Sequence, residues 1–131
     1  MAVGGLQHLL VLTDDIDATR DFWCGALALE QGERPPLEFP GYWLYAGGVP
    51  CVHVAERAAY EAHSESIGIP ASPLPVDHVA FGEEGYDDVV ARLASRGIES
   101  AANEVPAAGL RQLFIQDPNG VKVEINVKEP S

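Results

Sequence analysis

The sequence is short of several things, and each shortage excludes something. It has 8 lysines and arginines against 20 aspartates and glutamates, for a formal net charge of −12. Such a field repels phosphate backbones and anionic membranes, so neither nucleic acid nor a lipid surface is an expected partner. It does not define a substrate, because a local cationic site can sit inside an acidic protein. Only two cysteines occur, Cys24 and Cys51, and they show no paired spacing. That excludes a disulfide framework and reads as two small buried apolar residues. No apolar run is long enough to span a bilayer, and residues 1–12 lack a basic leader before Thr13-Asp14-Asp15. The expected location is cytoplasmic.

The rest is ordinary for a globular chain, with 47% hydrophobic and 21% charged residues over 131 positions. That length is one domain's worth. Residues 6–12 form a short branched apolar run, read as a strand. Asp14 or Asp15 can cap a following helix, with Asp17 in its first turn. Ile16, Phe22 or Trp23, Ala26 and Leu27 recur at helical spacing, and this helix ends near Ala28. Residues 31–36 read as a strand or turn. Residues 42–46 and 51–55 read as strands joined at Gly47-Gly48-Val49-Pro50. Residues 56–75 are polar and alanine-rich, then carry Pro70, Pro73 and Pro75, which predicts a short helix and an extended linker.

The plan then repeats. Residues 76–81 predict a strand and 82–85 a loop. Tyr86, Val89, Val90 and Leu93 make a helical stripe that stops at Gly97. Residues 110–116 and 121–127 predict strands around the turn Asp117-Pro118-Asn119-Gly120. His8, in Leu6-Gln7-His8-Leu9, lies 70 residues before His78, in Val76-Asp77-His78-Val79. His53 lies 71 before Glu124. A nearly constant offset at two elements indicates a duplicated unit. The expected layout is one domain over residues 1–131, with module 1 at about 5–56, a linker at about 57–75 and module 2 at about 76–128.

Strand side chains alternate between faces. In the last strand Val121, Val123, Ile125 and Val127 share one face, so Glu124 looks away from the helix they pack under. His53 sits between Val52 and Val54, again opposite two valines. His8 shares its face with Leu10 and Leu12, so its direction stays open, as does that of His78. A strand histidine on its own is ordinarily a structural residue. If all four point into one concavity, three imidazoles and a carboxylate meet there. That donor set suits Fe, Mn, Zn, Ni or Co better than calcium. His63 has no repeat partner and is expected to face water. Trp43 and Tyr45 share one strand face, and Gln112 shares one with Phe114, which makes these four pocket candidates. Arg111 then points the other way.

These residues resemble the vicinal oxygen chelate superfamily: glyoxalase I, type I extradiol dioxygenases, fosfomycin-resistance enzymes, methylmalonyl-CoA epimerase and bleomycin-resistance proteins. The resemblance runs from His8 to Glu124. It is carried by the opening histidine strand with Asp15-Ile16-Asp17-Ala18-Thr19-Arg20-Asp21-Phe22-Trp23, by Val76-Asp77-His78-Val79-Ala80-Phe81, by Gly97, and by the stretch Phe114-Ile115-Gln116-Asp117-Pro118-Asn119-Gly120-Val121-Lys122-Val123-Glu124. It implies an α+β fold of two βαβββ modules forming a curved mixed sheet around a metal site. It implies His8, His78 and Glu124 as ligands of one divalent transition metal. His53 falls where glyoxalase I uses a carboxylate or amide, and is expected to be a fourth ligand or the catalytic acid–base.

The implied activity is that of a metal-dependent enzyme on a small substrate with vicinal oxygens. It is either a lyase or isomerase working through an enolate, or a dioxygenase. The alternative is a metal-free, ligand-sequestering protein like the bleomycin-resistance relatives, whose metal positions are typically lost. A homodimer is implied as well. Several departures bear on the reaction. His53 replaces the glyoxalase carboxylate. Phe114 stands where extradiol and fosfomycin enzymes often have tyrosine, and the extradiol histidine is missing from residues 106–113. Ala28 replaces a common glycine, at about 1 kcal/mol if that backbone is left-handed.

Overall fold

The computed structural model describes residues 4–116 and 122–128. The predicted turn at Asp117-Pro118-Asn119-Gly120, with Val121, lies outside the described residues. The chain divides into two compact units, one spanning His8–Asp77 and the other joining the residues up to Gln7 to those from His78 onward. The divisions fall immediately before the two repeat histidines. The fold is α+β, with three α-helices and eight strands among the described residues. Among the described residues no helix is long and apolar enough to cross a membrane.

The first unit holds β1 (Leu6–Thr13) from His8 onward, α1 (Ile16–Leu27), β2 (Glu30–Gly32), β3 (Gly41–Ala46), β4 (Val49–Glu56), α2 (Arg57–Ser66) and the start of the next strand up to Asp77. Its strands run in the order β2-β3-β4-β1, with β1 and β4 parallel and the other neighbours antiparallel. Asp15 caps α1 by accepting from the Ala18 amide at 3.0 Å. Of the two aromatic candidates, Trp23 is the one that packs inward. It joins Ile16 and Cys24 over Leu44, Val52 and Val54, while Phe22 is 66% exposed. Cys51 packs at the same cluster, and both cysteines are free and half-buried. The β3–β4 hairpin is tighter than the four-residue loop expected. Gly47 (φ 56°) and Gly48 (φ 82°) both lie in the left-handed region that a two-residue turn of this kind requires. Ala28 does end α1 at φ 56°, ψ 33°, the strained conformation suspected from the sequence.

The second unit holds β5 (Val76–Glu83) from His78 onward, α3 (Tyr86–Ser95), β6 (Ala101–Val105), β7 (Leu110–Gln116) and β8 (Lys122–Lys128), with Gln7 from the start of β1. Its strands run β5-β8-β7-β6, with β5 and β8 parallel. The strand β5 continues through Gly82 and Glu83, which the sequence had suggested were loop. Glu83 pairs with Val127 of β8, and its carboxylate meets Arg92 of α3 at 3.0 Å. Val89 and Leu93 bury against Leu113, Ile125 and Val127. Gly97 donates to the Ala94 carbonyl and Ile98 to that of Leu93, so the glycine stop acts as predicted.

Both units therefore carry strand, helix and three strands. Their registers coincide. In the first, Leu10 partners His53 and Trp43 partners His53. In the second, Ala80 partners Glu124 and Phe114 partners Glu124. The duplication read from sequence offsets is thus a duplication of strand register.

Candidate metal centre

In the first unit His8, His53 and Trp43 come together as a stack of rings. The His8 and His53 centroids are 3.7 Å apart with planes 15° from parallel. His53 and Trp43 are 4.1 Å apart at 8°. The register explains this, since Trp43 is the direct cross-strand partner of His53 and His8 is two residues from Leu10, its other partner. His53 Nε2 lies 3.1 Å from the Pro50 carbonyl oxygen, which fixes the ring's rotation. The ambiguity over His8 also resolves. Leu10, Leu12 and Ala55 share its side of the sheet because α2 covers that side through Tyr60. A histidine face that looks apolar at one end is simply roofed by a helix there. His63, on the last turn of α2, is half-buried with its ring 5.3 Å from Phe39.

In the second unit His78 and Glu124 come together. His78 Nε2 is 3.1 Å from Glu124 Oε1, and both residues are buried. The other carboxylate oxygen, Oε2, accepts from Asn126 Nδ2 at 2.6 Å. Asn126 Nδ2 also donates to Gln7 Oε1 at 2.6 Å. Glu124 and Asn126 occupy the strand face opposite Ile125 and Val127, as alternation requires. A buried carboxylate is costly unless each oxygen has a partner, and here each has one. The 3.1 Å separation suits neighbouring ligand positions around one cation with bonds of about 2.1 Å. Neutral imidazole nitrogen and carboxylate oxygen fit a divalent transition metal, as expected.

The pocket candidates separate. Trp43 joins the ring stack. Phe114 is buried beside Glu124, with the Lys122 ammonium 5.8 Å from its ring. Gln112 donates to Asn126 Oδ1 at 3.2 Å and so belongs to a hydrogen-bonded amide row. Tyr45, paired with Glu30 of β2, covers Gly32 and donates to the Glu33 carbonyl. Arg111 stacks over the Tyr86 ring at 3.5 Å, near Glu104.

Asp77 was passed over in the sequence. It points away from His78's face and is 2% exposed. It accepts from the Tyr60 hydroxyl at 3.2 Å and from the Ser72 amide, which ties α2 and the proline-rich stretch to the start of β5. The motif Val-Asp-His thus joins a structural carboxylate to the candidate imidazole. The Tyr42 hydroxyl, donating to Asp17, is held above the ordinary phenol range. Burial lowers the Arg34 guanidinium, which donates to the Phe39 carbonyl.

A family model described as the glyoxalase/bleomycin resistance protein/dioxygenase superfamily matches residues 5–125. The chain belongs to this superfamily. Solved structures share its fold at low identity. A hypothetical protein from Bacillus halodurans has a TM-score of 0.71 at 20% identity, with 97% of this chain and 96% of that one covered. Methylmalonyl-CoA epimerase from Mycobacterium tuberculosis has a TM-score of 0.70 at 19% identity, covering 98% and 90%. The Streptomyces coelicolor methylmalonyl-CoA epimerase in complex with 2-nitronate-propionyl-CoA has a TM-score of 0.70 at 18% identity, covering 98% and 100%. No curated protein matches the chain.

Proposed function

We propose that this superfamily member is a metal-dependent enzyme that moves a proton next to a carbonyl on a small substrate with two adjacent oxygens. The observation that carries the reading is the buried His78–Glu124 pair at 3.1 Å, with the second carboxylate oxygen held by Asn126. His8, His78 and Glu124 are the proposed ligands of one divalent ion, Fe, Mn, Zn, Ni or Co. Support for His8 comes from the duplicated frame, in which it stands 70 residues before His78 and is, like His78, the third residue of its strand. The ion, when bound, polarises the substrate's carbonyl as a Lewis acid.

His53 is the proposed acid–base. Its ring is clamped between two others, which limits its movement to rotation that the Pro50 contact already restricts. A fixed imidazole close to a ligand position is suited to taking and returning one proton. Trp43 and Phe114 then line the substrate pocket as apolar walls. Isomerase or lyase chemistry is favoured over dioxygenation, because the fold's similar solved structures include epimerases and because Phe114 has no hydroxyl to offer. The setting that accompanies this reading is a cytoplasmic homodimer.

The test begins with protein purified without chelator or metal-affinity resin. Elemental analysis and titration with Fe, Mn, Ni, Co and Zn should find one tightly held equivalent per chain. Loaded protein is then screened against acyl-CoA thioesters, glutathione hemithioacetals, catechols and fosfomycin. Turnover of a thioester or hemithioacetal is the expected result. Failure to take up any of the five metals would favour a ligand-sequestering protein instead.

A further inference from the structure

Three primary amides form a row across the second unit: Asn103 on β6, Gln112 on β7 and Asn126 on β8. The ladder makes them direct neighbours, Asn103 against Gln112 and Gln112 against Asn126. Asn103 Nδ2 donates to Gln112 Oε1 at 2.8 Å, and Gln112 Nε2 donates to Asn126 Oδ1 at 3.2 Å. Asn126 Nδ2 then donates at 2.6 Å to both Glu124 Oε2 and Gln7 Oε1.

Each amide has one donating end and one accepting end, whereas an ionised carboxylate only accepts. Glu124 therefore fixes which end of Asn126 faces it. That leaves Asn126 Oδ1 for Gln112, which fixes Gln112, which in turn fixes Asn103. The row has one polarity, running from a half-buried residue on the edge strand to a buried carboxylate. The opposite face of β7 and β8 is filled by Leu113, Ile125 and Val127. Apolar side chains could fill this face too, with no polar groups to satisfy. A directional row that ends on a proposed metal ligand calls for another explanation.

We propose that Asn126, backed by Gln112 and Asn103, is a positioning relay that sets the orientation of the Glu124 carboxylate toward His78 and the metal. This inference rests on the reading of Glu124 as a ligand. Groups that hydrogen-bond a ligand typically change metal affinity by roughly 10- to 100-fold when removed. The relay adds a sharper expectation, that a change in the middle of the row is felt at its end. Gln112→Glu is nearly isosteric. Its carboxylate still accepts from Asn103 but sets an oxygen against Asn126 Oδ1. Asn126 must then turn, and its own oxygen faces Glu124.

The experiment measures Zn2+ affinity by competition with a chromophoric chelator, and thermal unfolding of the chelated protein. Asn126→Ala and Gln112→Glu should each weaken Zn2+ binding by about 10-fold or more, and Asn103→Ala by only a few-fold. The Asn126→Ala/Gln112→Glu double variant should bind no worse than Asn126→Ala alone, because the second change acts through the first. Wild-type affinity in both single variants, or additive losses in the double, overturns the relay, as does a loss of thermal stability without a loss of affinity. If the wild-type protein binds no metal, the ligand reading has failed, and the relay is then judged in the metal-free protein by NMR. There the Asn126 side-chain amide protons should exchange slowly and shift in Gln112→Glu. Fast exchange in the wild type overturns it.

Discussion

Across the β1–β4 ladder the residue opposite Leu10 is His53, and across the β5–β8 ladder the residue opposite Ala80 is Glu124. Each has an aromatic neighbour on its other side, Trp43 in one unit and Phe114 in the other. The backbone frame is the same, and the chemistry is not. In the first unit the imidazole lies flat between two rings, with a backbone carbonyl at its Nε2. In the second the carboxylate meets an imidazole at one oxygen and an amide at the other. A duplicated register thus fixes where side chains emerge and leaves their roles to the residue type. One unit offers a confined ring system, and the other an imidazole–carboxylate pair.

The largest expected effects test whether the two frames are equally built. Leu44 is 0% and Leu113 2% exposed, each at the centre of its own unit's helix–sheet core. Leu44→Ala and Leu113→Ala should each cost about 2–5 kcal/mol in urea unfolding, with a single transition in both. Two separated transitions in either variant would mean that the units fold independently.

The next comparison exchanges the roles of the two equivalent positions. Glu124→Gln removes the charge and should weaken metal binding by about 100-fold or more, read by titration. His53→Gln should leave metal affinity within about 3-fold while turnover falls by about 100-fold or more. Loss of the metal in His53→Gln would make that residue a ligand and erase the contrast between the units.

The smaller effects concern helix ends. Asp15 caps α1 with its side chain, whereas α3 begins at Gly85 with no side-chain cap. Asp15→Ala should cost about 1 kcal/mol in thermal or urea unfolding. At the far ends the two units differ in the opposite sense. Ala28 (φ 56°) and Gly97 (φ 67°) both adopt the left-handed region, which only glycine enters without penalty. Ala28→Gly should therefore stabilise by about 0.5–1 kcal/mol, and Gly97→Ala should destabilise by about 1 kcal/mol. A destabilised Ala28→Gly would show that backbone strain is not what limits the end of α1.

Much of this was legible before any coordinates, and the reason is local. Alternation in β8 put Glu124 off the apolar face, and the pairing of that residue with His78 needed only a parallel neighbour. Asp15, Gly47-Gly48 and Gly97 announced their turns because few other residues tolerate those conformations. Other parts were hidden because they depend on cross-strand register. Ala101-Ala102-Asn103-Glu104-Val105 has almost no strand signal and becomes β6 by pairing with β7. The amide row exists only once that pairing sets Asn103 against Gln112. The ring stack likewise requires knowing that Trp43 faces His53. The structural role of Asp77 was hidden because its partners, Tyr60 and Ser72, lie in segments read as short helix and linker.

The most direct test of the shared cation is X-ray absorption on Zn2+-loaded protein, which counts imidazoles on the metal. Two imidazoles and a carboxylate oxygen should be seen in the wild type, falling to one imidazole in His8→Ala and one in His78→Ala. A spectrum unchanged by His8→Ala, or one without imidazole scattering, would contradict the account.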